Sequence, residues 1–140
     1  MTPHFTLAEL THTDHRSLDN TPNAGELANL KRLAEFLETV KTALGGKPVM
    51  ISSAFRSKAV NDAVGSRDTS SHRLGLAADF KVPGLAPDVV VRALLHLPYD
   101  QIIREFSDPI KGGGWTHISI SDKPRRQALI IDKAGTRPFV

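Results

Sequence analysis

The spacing of apolar residues changes once along this chain, and that change decides what the chain can fold into. Leu27, Leu30, Leu33, Ala34, Leu37, Val40 and Leu44 recur every three or four residues. This is the stripe of an amphipathic helix of about six turns. Asn23 with Glu26 is a capping signal at its start, and Gly45-Gly46 stops it. Thr6 with Glu9 opens a shorter helix before it. From Pro48 onward the apolar runs become short and bounded by turn residues. Pro48–Ser53, Ala77–Val82, Gln101–Phe106, Trp115–Ser121 and Gln127–Asp132 read as strands. Between them, Ser57 caps a short helix over 58–64, residues 66–76 read as a polar loop, and Pro87 starts a helix carrying Val90, Val91, Ala93, Leu94 and Leu97. Turns fall at Pro83-Gly84, at Pro109 with Gly112–Gly114, and at Asp122 to Pro124. Helices first and strands late predict an α+β fold, a mostly antiparallel sheet with helices packed on one face.

Composition narrows the function classes. The 140 residues suit one domain over 1–140. Hydrophobic residues at 40% and charged ones at 24% exclude a disordered tail or a coiled coil. No apolar run approaches the roughly 18 residues of a membrane span, so stable membrane insertion is not expected. The excess of 18 Lys+Arg over 15 Asp+Glu is too small to argue for nucleic acid. Lys123-Pro124-Arg125-Arg126 reads as a solvated surface beside a turn. Without cysteine there is no disulfide, no thiolate metal ligand and no cysteine nucleophile. The first sixteen residues lack a basic segment followed by an apolar run, so synthesis in the cytoplasm without a secretory signal is expected.

Strand alternation points to a site. In Trp115–Ser121, Thr116, Ile118 and Ile120 share one face, and Trp115, His117, Ser119 and Ser121 the other. In Ala77–Val82, Ala78, Phe80 and Val82 face the core, leaving Asp79 on the opposite, uncovered face with His117. His72 sits in a loop whose Gly75 permits a tight reversal, so it could fold back onto Asp79. Two imidazoles and a carboxylate form a three-ligand set, the pattern of catalytic rather than structural zinc. Nitrogen and oxygen donors without sulfur suit zinc and also admit other divalent ions. Taken singly, each of these residues has an ordinary structural explanation, and no H-E-x-x-H motif is present.

Together the residues resemble a known family. SSHRLGLAAD (70–79) resembles the S-x-H-x-x-G-x-A-x-D motif of the zinc D-Ala-D-Ala carboxypeptidases, which include phage endolysins that cut peptidoglycan stem peptides. WTH (115–117) resembles their W-x-H motif, and SSAFRS (52–57) their S-x-[YF]-R-S segment. FTLAEL (5–10), Asn29-Leu30 and DQIIREF (100–106) are similar to the small phage-associated branch. The resemblance covers roughly residues 4–121. It implies the small sheet fold shared with hedgehog signalling domains. It implies zinc held by His72, Asp79 and His117, and an arginine, Arg56, that contacts a substrate carbonyl or carboxylate. Many relatives carry a catalytic glutamate three residues before the last histidine; here that position is Gly114, and nothing acidic lies nearer than Asp108. In the phage-associated branch a glutamate on the preceding strand takes this role, and Glu105 matches it, within reach if Gln101–Phe106 pairs with Trp115–Ser121.

These expectations describe zinc-assisted amide hydrolysis. Glu105 would move the proton and Arg56 would steady the developing oxyanion or grip a terminal carboxylate. Ser70, Asn61 and Trp115 are further candidates for substrate contact or ligand support. The expected partner is a peptidoglycan peptide, cut as D-Ala-D-Ala or L-Ala-D-Glu, by a monomer that a separate membrane-permeabilising protein releases to the wall. The alternative is a non-catalytic module of the same fold that binds cell wall or protein, which Gly114 in place of glutamate would favour.

Overall fold

The computed structural model describes residues 1–67, 69–107 and 112–140. Its helices are α1 (Leu7–Leu10), α2 (Ala24–Ala43), α3 (Lys58–Ala63), α4 (Ser71–Leu74) and α5 (Pro87–Leu94). Its strands are β1 (Met50–Ser53), β2 (Ala77–Lys81), β3 (Gln101–Glu105), β4 (Trp115–Ser119), β5 (Gln127–Asp132) and β6 (Gly135–Pro138). They form one sheet in the order β1-β2-β4-β3-β5-β6. Every neighbouring pair is antiparallel except β3 with β5, which run parallel. The α+β class and the mostly antiparallel sheet are as the periodicity predicts.

The core forms where the two periods meet. Leu30, Leu33, Ala34, Leu37 and Val40 of α2, with Val90, Val91 and Leu94 of α5, share one buried cluster with Ala78, Phe80, Ile102 and Ile118 of the sheet. Asn23 and Thr6 cap α2 and α1 through reciprocal capping boxes. Leu27 departs from the predicted stripe: it is 39% exposed, in a surface groove with Met1, Ala24 and Ala28.

Three further expectations need correction. The 66–76 segment is not all loop: Ser70 caps the helical turn α4, and Gly75 ends it at φ +77°. A helical turn gives the backbone groups there internal partners, which an open loop would leave to solvent. The carboxyl-terminal segment adds β6, an edge strand exposed at every position and therefore without an apolar alternation to announce it. The face of β2 that carries Asp79 is not uncovered, because Ala77 to Phe80 are buried on both faces. The segment that delivers His72 must lie over that face and so covers it. Asp68, Asp108 and Pro109 lie outside the described residues.

Candidate metal centre

β2 and β4 are neighbours, and their register sets Asp79 opposite His117. Directly opposed residues project from the same face of a sheet. His72 comes from α4, which α2 holds in place. Arg73 pairs with Glu26, and the Asn29 amide donates to the Leu74 carbonyl at 2.9 Å. A side chain at Gly75 would have its Cβ 3.0 Å from the Glu26 carbonyl oxygen and 3.1 Å from Leu30 Cγ, so the reversal packs tightly on α2. The chain then enters β2 and reaches Asp79.

The three side chains converge. His117 Nδ1 donates to Asp79 Oδ1 at 2.9 Å, and His72 Nε2 lies 3.2 Å from the same oxygen. One ligating atom from each of the three lies within 4.8 Å of the others. Donors about 2.1 Å from a shared tetrahedral ion would stand roughly 3.4 Å apart, close to the two distances seen. His72 Nδ1 donates to the Ala54 carbonyl at 2.7 Å, which leaves Nε2 with its lone pair toward the group. A ligand histidine is usually oriented in this way, by a carbonyl on its other nitrogen. The donor set and its spacing therefore fit a divalent metal ion.

Electrostatics keep the group ready to ligate. Burial pushes the His72 imidazolium pKa down, and so favours the neutral ring that binds metal. Burial pushes the Asp79 carboxyl up, but the hydrogen bond from His117, with the neighbouring His72 imidazole, more than offsets it and holds the carboxyl below the ordinary carboxylate range. Arg56 stands beside this carboxylate, its guanidinium 3.5 Å from Asp79 Oδ2 and its Nε donating to Ser53 Oγ at 3.2 Å.

Glu105 is on the same face. β3 pairs with β4 so that Ile103 opposes His117 and Glu105 opposes Trp115. The Trp115 indole N–H donates to Glu105 Oε2 at 2.6 Å. Burial, and then the charge of Asp79, push the Glu105 carboxyl above its ordinary range; His117, Trp115 and Arg56 oppose them. Trp115 also stacks on the exposed ring of Phe106, with centroids 5.5 Å apart.

Gly114 has a physical explanation. Its φ is +74°, and a Cβ there would lie 2.3 Å from the Glu105 carbonyl oxygen and 2.5 Å from Ser107 N. The end of β3 occupies the space a side chain would need, so a glutamate cannot stand three residues before His117 here. The backbone that excludes it is that of Glu105 itself.

Ser70 and Asn61 make backbone contacts. Ser70 Oγ accepts from His72 N as the cap of α4, at 3.3 Å. The fully buried Asn61 donates to the carbonyls of Ser66 and Arg67, holding the connection between α3 and α4. Two contributors escaped the sequence reading. The Ala54 carbonyl is a backbone atom and carries no residue-type signal. Asn29 is legible only as part of the resemblance, since its partner is 45 residues away.

A family model described as Peptidase M15 matches residues 3–119. The chain belongs to this family. The match covers every segment that builds the metal group. No curated protein was found to match the chain. Among the described residues, no helix is long and apolar enough to cross a membrane.

Proposed function

We propose that this peptidase M15 family member is a zinc-dependent hydrolase of peptidoglycan stem peptides, of D-Ala-D-Ala carboxypeptidase or L-Ala-D-Glu endopeptidase type. It acts on the wall as a monomer, after release from a phage- or prophage-bearing cell. The observation that carries the reading is the convergence of His72, Asp79 and His117, with a half-buried carboxylate, Glu105, on the same sheet face. A zinc ion bound there would polarise the scissile carbonyl and acidify water.

The chain's own groups supply the rest. Glu105, raised above the usual carboxylate range, accepts a proton from the attacking water and returns it to the leaving amine. The Trp115 indole orients it by fixing Oε2. Arg56 presents a planar guanidinium beside the metal group, suited to a carbonyl oxygen gaining charge or to a carboxylate. The buried setting strengthens each of these interactions.

The competing reading, a non-catalytic module, drew its support from Gly114. The close approach of β3 weakens that support, because the backbone of this chain leaves no room for a side chain at that position. Glu105→Gln separates the two readings. The expected result is loss of hydrolysis of purified peptidoglycan, read by mass spectrometry, with about one zinc per chain retained by metal analysis. Unmodified protein that binds zinc yet releases no peptide fragments would establish the module instead.

A further inference from the structure

The peptidase reading uses no residue between Leu10 and Asn20, yet this stretch is bonded to the segment that carries Arg56. Phe55 N donates to the Leu10 carbonyl at 2.9 Å. Asn20 Nδ2 donates to the Phe55 carbonyl at 3.0 Å and to the Thr11 carbonyl at 2.8 Å. Asn20 Oδ1 accepts from Ser57 N at 2.7 Å, and Ser57 Oγ donates to the Asp19 carbonyl at 2.7 Å. One part-buried amide therefore holds the residues on both sides of Arg56 and closes its own loop.

The same tetrapeptide is bonded to His72 from its other side. The Ala54 carbonyl accepts from His72 Nδ1, and Arg56 N donates to the His72 carbonyl at 3.0 Å. Ala54–Ser57 is thus a bridge between a metal-ligand candidate and the 11–20 loop. The docked loop sets His12, Asp14 and His15 across a cavity of about 180 Å³ from Ser53 and Arg56.

We propose that Asn20 is a positioning residue for the Arg56 guanidinium, and that the loop it docks is a wall of the substrate cleft. The proposal rests on the peptidase reading, because Arg56 has a substrate to position only there. The physical argument is about aim. The direction of a long arginine side chain follows the backbone at its root, and Asn20 fixes that backbone at Phe55 and Ser57. Replacing the amide leaves two carbonyls and one N–H to find other partners, and the root loosens. Small displacements of a positioning group can lower a rate by up to about 100-fold.

A double-mutant cycle on the zinc-loaded full chain tests this, with a soluble stem-peptide fragment as substrate. Asn20→Ala is expected to lower kcat/KM by about 10- to 100-fold with zinc affinity unchanged. In an Arg56→Ala background the same change is expected to cost less than about threefold, since interacting residues are not additive. A full, additive effect in that background overturns the proposal, as does an Asn20→Ala enzyme as active as the unmodified one. Zinc affinity falling in step with activity also overturns it, because the effect would then run through His72. Asn20→Asp, which keeps the acceptor for Ser57 N and loses both donations, carries the same cycle if the alanine variant does not fold. The cycle is read a second time as calorimetric binding of the fragment in Glu105→Gln protein. Unmodified protein that binds but does not hydrolyse the fragment refutes the catalytic reading, while the binding cycle still decides Asn20. Neither binding nor hydrolysis refutes both.

Discussion

Trp115 donates its indole hydrogen to the carboxylate proposed to move the proton, and this sets a consequence for pH. A hydrogen bond to the ionised form lowers a carboxyl pKa, and that of Trp115 is one of the contributions opposing burial at Glu105. Glu105 must be ionised to accept a proton, so activity is lost as pH falls through its pKa. Trp115→Phe removes the donor, raises that pKa further, and is expected to move the acid limb of the kcat/KM profile to higher pH. Rates measured across the acid range on a soluble fragment check the direction; an unmoved limb would mean that Glu105 does not govern it. Trp115 was legible in the sequence as a residue of the His117 face, and Glu105 through the family resemblance. Their hydrogen bond was not, because alternation gives the face and not the register between strands.

Strand β5 is the element that periodicity could not orient. It leaves β4, passes to the far side of β3 and runs parallel to it. Asp100 and Arg125 pin this crossover where the two strands begin together. Arg125 donates to Asp100 through its backbone N at 2.8 Å, its Nε at 3.1 Å and a terminal nitrogen at 2.7 Å. The Arg125 hydrogen bond is also the main influence holding the buried Asp100 carboxyl below its ordinary range. Arg126 donates to the Leu95 carbonyl and lies 4.8 Å over the Tyr99 ring. The basic cluster of the sequence is therefore engaged within the fold, with two of its members folding the chain onto β3. Asp100→Asn keeps the shape but loses the charge, and is expected to destabilise by about 1–3 kcal/mol, as for hydrogen bonds to charged groups. Urea unfolding at neutral pH checks this. Because Asp100 is held low, its contribution is present above the unfolded-state carboxyl pKa and fades as pH falls through the folded value, so the difference between variant and parent should shrink in acid.

At the scale of the whole molecule, the candidate metal group draws one ligand from each of three elements that become neighbours only in the folded chain. His72 arrives on α4, while Asp79 and His117 come from two central strands. An ion bound by all three binds the folded chain and not the unfolded one. Zinc at 100 times its dissociation constant is then expected to add about 2.7 kcal/mol. For a chain of 140 residues that is a melting-temperature rise on the order of 10 °C. A chelator should reverse the rise, and His72→Ala should remove most of it; differential scanning calorimetry reads all three. The metal-free protein has its own pH signature. Folded pKa values of His72 and Asp79 lie below the ordinary 6.5 and 3.8, so stability is full above those values and is lost as acid protonates the two groups.

Much of the site was written in residue types. Local spacing is a property of the chain alone, so α2, the strands β2 to β5 and the shared face of Asp79 and His117 could be read without coordinates, and His72 stood out as a candidate ligand. Tertiary structure decided the rest. It turned 70–75 into a capped helical turn, because α2 holds it at Glu26, Asn29 and Leu30. It denied Gly114 a side chain, because β3 ends against it. It made Asn20, an unexceptional turn residue, the tie between a loop and the backbone on either side of Arg56. Each of these depends on which segments become neighbours in space, and the hydrogen bonds and close contacts that result join different elements of the chain, where sequence periodicity carries no information.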